Sequence, residues 1–234
     1  MDVKWIKAKD NMGEIIPVFY KAFDCNKEIK SAVLTTTALG VYKAVINGER
    51  IGDYVMAPGW TSYEHKLQYQ SYNITDKIKE NNTLEISVGK GWYRSRLVGW
   101  MESERQNTLR KNPAAVFAKL DIEYADGSSE TILTDESWKV KESKTLFSEI
   151  YDGEVYDASI KELKSGEVEL FDGPTDTLIP QQGEKITMHE CVQVKDIFKT
   201  PKGEVLIDFG QEVTGVPEIM VDAVKGQNVA FSFG

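Results

Sequence analysis

The stretch Gly40-Val-Tyr-Lys-Ala-Val-Ile-Asn-Gly-Glu-Arg-Ile-Gly-Asp53 decides the fold class. Val41, Val45 and Ile46 lead into Asn47-Gly48, and Ile51 follows. Asn-Gly between two apolar runs is a strong hairpin signal, because both central residues of such a turn need positive φ. Outward from this hairpin, Leu84, Ile86 and Val88 alternate with Glu85 and Ser87. That period of two suits a half-buried strand. Leu67 to Tyr72 predicts another strand. Ala115 to Tyr124, the turn Ala125-Asp126-Gly127-Ser128 and Glu130 to Leu133 predict a second hairpin. Helical signals are confined to single turns at Thr75 to Glu80 and Ala158 to Leu163, and no segment carries three turns of apolar 3.6 periodicity. Many short strands separated by turn signals predict an all-β fold, a jelly-roll-like β-sandwich over residues 1–160.

After residue 160 the composition shifts. Gly166, Gly173, Pro174, Pro180 and Gly183 fall among few paired apolar positions. Residues 161–187 therefore read as a linker running over the surface. New strands are expected at Glu190 to Val194, Val205 to Phe209, Glu218 to Val221 and Asn228 to Phe233. Residues 188–234 then form part of a second β-sandwich domain, since about fifty residues are marginal for a core of their own. A last strand with no partner after it predicts that the chain is a fragment of something longer.

The chain has 234 residues and a net charge of −9, a sign that repels phosphate backbones and disfavours nucleic acid. Neutral sugars are indifferent to that charge. No run approaches the roughly 18 apolar residues of a membrane span, so no membrane partner is expected. Met1 to Asp10 carries no apolar signal core, which predicts a cytoplasmic chain and leaves a secreted parent open. Cys25 and Cys191 lie far apart and read as free buried thiols; with His65 and His189 they make no zinc spacing.

Several of these segments resemble, in order, the N-terminal domain of bacterial α-L-rhamnosidases. They are Gly40 to Asp53, Ala57-Pro-Gly-Trp-Thr-Ser-Tyr63 with Tyr69 and Tyr72-Asn-Ile-Thr75, Gly89-Lys-Gly-Trp-Tyr-Arg94, Asp135-Glu-Ser-Trp138 and Asp152-Gly-Glu-Val-Tyr-Asp-Ala158. Val205-Leu-Ile-Asp-Phe-Gly-Gln211, Thr214-Gly215 and Lys225-Gly-Gln-Asn-Val-Ala-Phe231 resemble the domain that follows it. The resemblance implies a galactose-binding-like sandwich and an accessory, non-catalytic role. In the family an (α/α) barrel carries the catalytic carboxylates, and nothing here matches it. The partners implied are that missing C-terminal catalytic domain and a rhamnose-containing oligosaccharide or glycoside. A stand-alone carbohydrate-binding module and a purely structural spacer are the other readings.

Inverting glycoside hydrolysis needs a carboxylate pair roughly 6.5–9.5 Å apart. Asp172-Gly-Pro174 is a superficial candidate but sits in the expected linker, so no catalytic residue is assigned. The best binding constellation is Gly91-Trp-Tyr-Arg-Ser-Arg96 with Trp100. Trp92, Tyr93 and Trp100 can offer aromatic platforms to sugar C–H faces, and Arg94 and Arg96 can donate to hydroxyls. The competing reading makes Trp92 a core residue and Trp100 a domain contact. Glu154 and Asp157 can accept from sugar hydroxyls, ion-pair with Arg94 or Arg96, or simply shape a turn. Some domains of the family bind rhamnose with calcium, which leaves Ca²⁺ open at this acidic segment, although no cofactor is assigned. Trp60 and Tyr63 are expected to pack a loop on the sandwich, and Trp138 to lie in the core.

Overall fold

A computed structural model describes residues 4–95, 111–222, 224 and 226–231. Arg96 and Trp100 lie outside the described residues. The chain divides into two units, Met1–Thr187 and Met188–Gly234.

The strands of the first unit are β1 (Trp5–Ala8), β2 (Val18–Asp24), β3 (Ile29–Ala38), β4 (Val41–Ile46), β5 (Glu49–Arg50), β6 (Leu67–Asn73), β7 (Asn81–Gly89) and β8 (Ala115–Tyr124). They continue with β9 (Ser129–Leu133), β10 (Lys139–Lys141), β11 (Thr145–Glu149), β12 (Gly153–Tyr156), β13 (Ser165–Phe171) and β14 (Leu178–Pro180). Among the described residues, helix is limited to one α-turn, α1 (Gly91–Arg94), and a 3₁₀ turn at Thr75–Lys77. Ala158 to Leu163 forms no helix.

The hydrogen-bonded path runs β14-β6-β3-β8-β1-β13-β10-β2-β7-β4-β5, with β9 on β8. It is one sheet curled into two layers. The fold turns at β13: Val168–Phe171 pairs with β1, whereas Ser165–Glu167 pairs with β10. A strand that changes partners along its length makes the corner of a sandwich. The first unit is thus an all-β, jelly-roll-like sandwich, as its alternating sequence dictates.

Alternation places the core. In β7, Leu84, Ile86 and Val88 are buried, while Glu85 and Ser87 are partly exposed. They meet Phe19, Leu34, Tyr42, Ile46, Leu120, Ile122, Trp138 and Val140 between the layers. The β4–β5 turn has φ of 53° at Asn47 and 83° at Gly48, as the hairpin expectation requires. Asn47 does more than turn: its amide donates to the Lys77 carbonyl at 2.9 Å, and its Oδ1 accepts from the Thr83 amide at 3.0 Å.

β3 and β8 are buried on both faces. Along β8, Val116, Ala118, Leu120, Ile122 and Tyr124 face the main core. Ala115 and Phe117 point the other way, into a smaller cluster with Trp5, Leu39, Leu67 and Tyr93. This outer cluster explains the fate of residues 161–187. Rather than a loose linker, they belong to the first unit and carry β13 and β14. Their glycines mark close packing: a Cβ on Gly173 would lie 2.6 Å from Cγ of Trp5. The Trp5 indole N–H also donates to the Pro174 carbonyl at 3.0 Å, and β14 pairs in parallel with β6.

In the second unit, β15 (Asp196–Lys199) and β16 (Val205–Asp208) form an antiparallel hairpin. The strand expected at Val205 is present, but those at Glu190 to Val194 and Glu218 to Val221 are not, nor does the described part of Asn228 to Phe233 form one. A strand requires a hydrogen-bonding partner, and among the described residues these segments have none. Ile197, Phe198, Val205, Leu206 and Ile207 are exposed. Cys25 is buried and free as expected; Cys191 is free but exposed, which corrects the expectation of two buried thiols.

Candidate functional site

The elements that carry the site sit over the outer cluster. Strand β7 ends at Gly89, and the chain turns at once into α1. Gly91 has φ of +54°, and a Cβ there would lie 2.3 Å from Cγ2 of Val41 and 2.7 Å from its backbone nitrogen. Only glycine fits that entry to the helix.

A single helical turn sends neighbouring side chains in different directions, since residues at i, i+1 and i+2 do not share a face. Tyr93 points inward: it is buried and meets Tyr63 edge-on at 5.0 Å. Its hydroxyl accepts from the Asn112 amide at 3.2 Å. Burial raises its pKa. Packed in this way, the Tyr93 ring is unavailable as a sugar platform. Trp92 is half-buried and lies parallel to Trp60, with ring centroids 6.2 Å apart and planes 11° apart. Trp60 is 52% exposed, so it does not pack as a buried loop anchor. Arg94 turns to a third side, where its Nε donates to the Asn112 carbonyl at 3.1 Å.

The loop bearing Trp60 is held from below. Tyr63 donates from its hydroxyl to the Gly59 carbonyl at 3.1 Å. The side-chain amides of Gln68 and Gln70 donate to the Pro58 carbonyl at 3.3 and 3.4 Å. Gln70 in turn accepts from the buried Tyr42 hydroxyl at 2.7 Å and donates to Gln181 at 2.6 Å. These polar groups are buried, and their mutual hydrogen bonds offset the cost of desolvation.

The acidic segment is elsewhere in character. Glu154 lies on β12, exposed, in the ribbon β11–β12. Asp157 accepts from the Ser159 amide at 2.8 Å and its hydroxyl at 2.6 Å, which lowers its pKa. That is the turn-forming role. The charge acting on Arg94 is Glu14 instead, and burial lowers the Arg94 pKa. Among the described residues, no three His, Cys, Asp or Glu side chains gather closely enough to hold a metal ion.

The sequence constellation is therefore divided. Trp92 keeps an aromatic face near solvent and gains Trp60, which reading the sequence had assigned to packing. The signal for Trp60 was present in Pro58-Gly59-Trp60, but nothing local showed which way its ring would turn.

The family model describing the α-L-rhamnosidase N-terminal domain matches residues 27–190, well over half of the chain. This chain belongs to the α-L-rhamnosidase family. A second family model, the bacterial α-L-rhamnosidase concanavalin-like domain, matches residues 198–234. An α-L-rhamnosidase of Alteromonas sp. (strain LOR) is 30% identical over 98% of this chain and 27% of its own length. One from Formosa agariphila is 30% identical over 97% of this chain and 25% of its own. The chain thus spans about a quarter of these relatives. Among solved structures, native α-L-rhamnosidase from Aspergillus terreus superposes with a TM-score of 0.79 at 30% identity, over 89% of this chain and 26% of that one. The Streptomyces avermitilis α-L-rhamnosidase complexed with L-rhamnose gives 0.73 at 26% identity, over 84% and 20%. Family membership accounts for the ordered motifs from Gly40 to Ala158.

Proposed function

We propose that this chain is the non-catalytic N-terminal region of a glycoside hydrolase that removes terminal α-L-rhamnosyl groups with inversion. It supports the catalytic barrel, and its Trp60–Trp92 pair holds rhamnose-containing glycans. The observation that carries the reading is the uninterrupted order of two rhamnosidase regions, residues 27–190 and then 198–234, in one chain. The L-rhamnose named with the Streptomyces relative supports the choice of sugar.

The chemistry of the pair suits a neutral sugar. A pyranose presents a face of C–H groups, which packs on an indole face, while its hydroxyls stay in water or find polar neighbours. Trp92 stiffens Trp60 by stacking behind it, so less side-chain freedom is lost on binding. No residue of this chain is assigned a step in bond cleavage.

The chain, mixed with p-nitrophenyl α-L-rhamnopyranoside, should release no p-nitrophenol; steady release overturns the non-catalytic assignment. Titration with L-rhamnose, with and without Ca²⁺, should give a saturable change in indole fluorescence. A flat titration in both conditions overturns sugar binding.

A further inference from the structure

A second concavity lies on the Arg94 side of α1. It is a cleft of about 490 Å³, bounded by the segment from Lys7 to Pro17, by Lys90 and Arg94, and by Lys111 to Ala114 with Phe171. Its charge runs against that of the chain. Among the described residues, five cations, Lys7, Lys9, Lys90, Arg94 and Lys111, line it against two anions, Asp10 and Glu14, in a protein of net charge −9.

Two of those cations are already paired. Lys7 bonds Glu169 at 2.5 Å, and Lys90 forms an ion pair with Glu14. Among the described residues, Lys9, Lys111 and Arg94 form no ion pair. Arg94 is half-buried, and only its Nε is bonded, to the Asn112 carbonyl. Its two terminal nitrogens have no acceptor among the described residues. A guanidinium withdrawn from water carries a desolvation cost; Glu14 acts on Arg94 but is ion-paired to Lys90, and the free side of the Arg94 fork matches a carboxylate in a bidentate way. Fixing Nε to a backbone carbonyl orients the remaining donors before any ligand arrives.

We propose that this cleft binds a carboxylate-bearing sugar, a uronic acid, whose carboxylate is gripped by the terminal nitrogens of Arg94 within the field of Lys9 and Lys111. The volume is that of a small-molecule site and not of a flat protein contact. Asn11 and Asn112 lie in its wall and supply amide groups for ring hydroxyls. The site is separate from the Trp60–Trp92 pair, and a neutral sugar has no reason to enter it.

The test is calorimetric or NMR titration of the intact chain with D-glucuronate, D-glucose and acetate. D-glucuronate should bind saturably, D-glucose not at all, and acetate more weakly than D-glucuronate. Arg94→Gln should weaken D-glucuronate by about tenfold or more, the usual cost of losing a charged hydrogen-bond partner. The double variant Lys9→Gln/Lys111→Gln, at two exposed side chains, should weaken it less and make the remaining binding less sensitive to salt. Absence of saturation, or equal affinity in Arg94→Gln with its native circular dichroism retained, overturns the proposal. Equal binding of acetate and D-glucuronate overturns the sugar assignment, and points to a protein carboxylate as the natural occupant. L-rhamnose binding by the same variants reads the aromatic pair independently, so either reading can fail alone.

Discussion

Trp60 and Trp92 come from separate segments, a loop after β5 and the first turn after β7, yet their indoles lie within 11° of parallel. The two supports are independent. Gln68 and Gln70 fix the Trp60 loop through Pro58, and Gly91 fixes the helix under Trp92. A stacked pair with one indole half in solvent is not a core contact, and it suits the platform role proposed for it.

Removing the outer ring should separate binding from folding. Trp60→Ala is expected to abolish the L-rhamnose-linked fluorescence change while lowering stability by only about 1 kcal/mol, the scale of the aromatic pair, because Trp60 is half exposed. Trp92→Ala should lose the same change and more stability than Trp60→Ala, since it removes the pair and also the burial of the less exposed ring. Full binding by Trp60→Ala would show that the pair is not the platform.

Gly91→Ala should be among the most damaging single-methyl changes in the first unit. The added carbon meets Val41 in β4, including its backbone nitrogen, and the position holds positive φ. Strain and overpacking together are expected to cost about 3 kcal/mol. Chemical denaturation measures the loss, and a change within error of zero would refute the close approach.

Gly173→Ala tests whether residues 161–187 are truly part of the sandwich. Its methyl would strike the buried Trp5 ring, with an expected loss of about 1–3 kcal/mol. A surface linker would absorb the substitution without a shift in the denaturation midpoint.

The buried phenols give an alkaline signature. Burial raises the pKa of Tyr42, Tyr72 and Tyr93 above the ordinary tyrosine value. Because the folded pKa lies above the unfolded one, the fold favours the protonated phenol. That stabilisation is complete below about pH 10 and is lost as pH rises through the folded values. Tyrosinate absorbance and circular dichroism are expected to change together well into the alkaline range. Ionisation of every tyrosine with the circular dichroism still native would contradict the buried hydroxyl network.

Much of the sandwich was legible because period-two alternation is a local signal. Asn47-Gly48 fixed one hairpin, and Leu84, Ile86 and Val88 named the buried side of β7 without any long-range knowledge. Residues 161–187 were illegible for a physical reason: glycine and proline mark both solvent loops and places where backbone meets a bulky ring. Gly173 under Trp5 is the second kind, and Trp5 stands far away in the sequence. The same ambiguity hid the site. Trp92, Tyr93 and Arg94 are adjacent in the chain, so they looked like one constellation, but the helical rotation between them sends one to Trp60, one to Tyr63 and one to a cleft.

By itself, the sequence determined the strand periodicity, the hairpin turns and, through ordered motifs, the family, since each depends on residues close together along the chain. Only the tertiary structure decided that Trp60 backs onto Trp92, that β13 turns the corner of the sandwich, and that Arg94 faces Lys9 and Lys111 in a cleft. Those are meetings of residues brought together by packing, and the direction a side chain takes on a single turn is set by what fills the space around it.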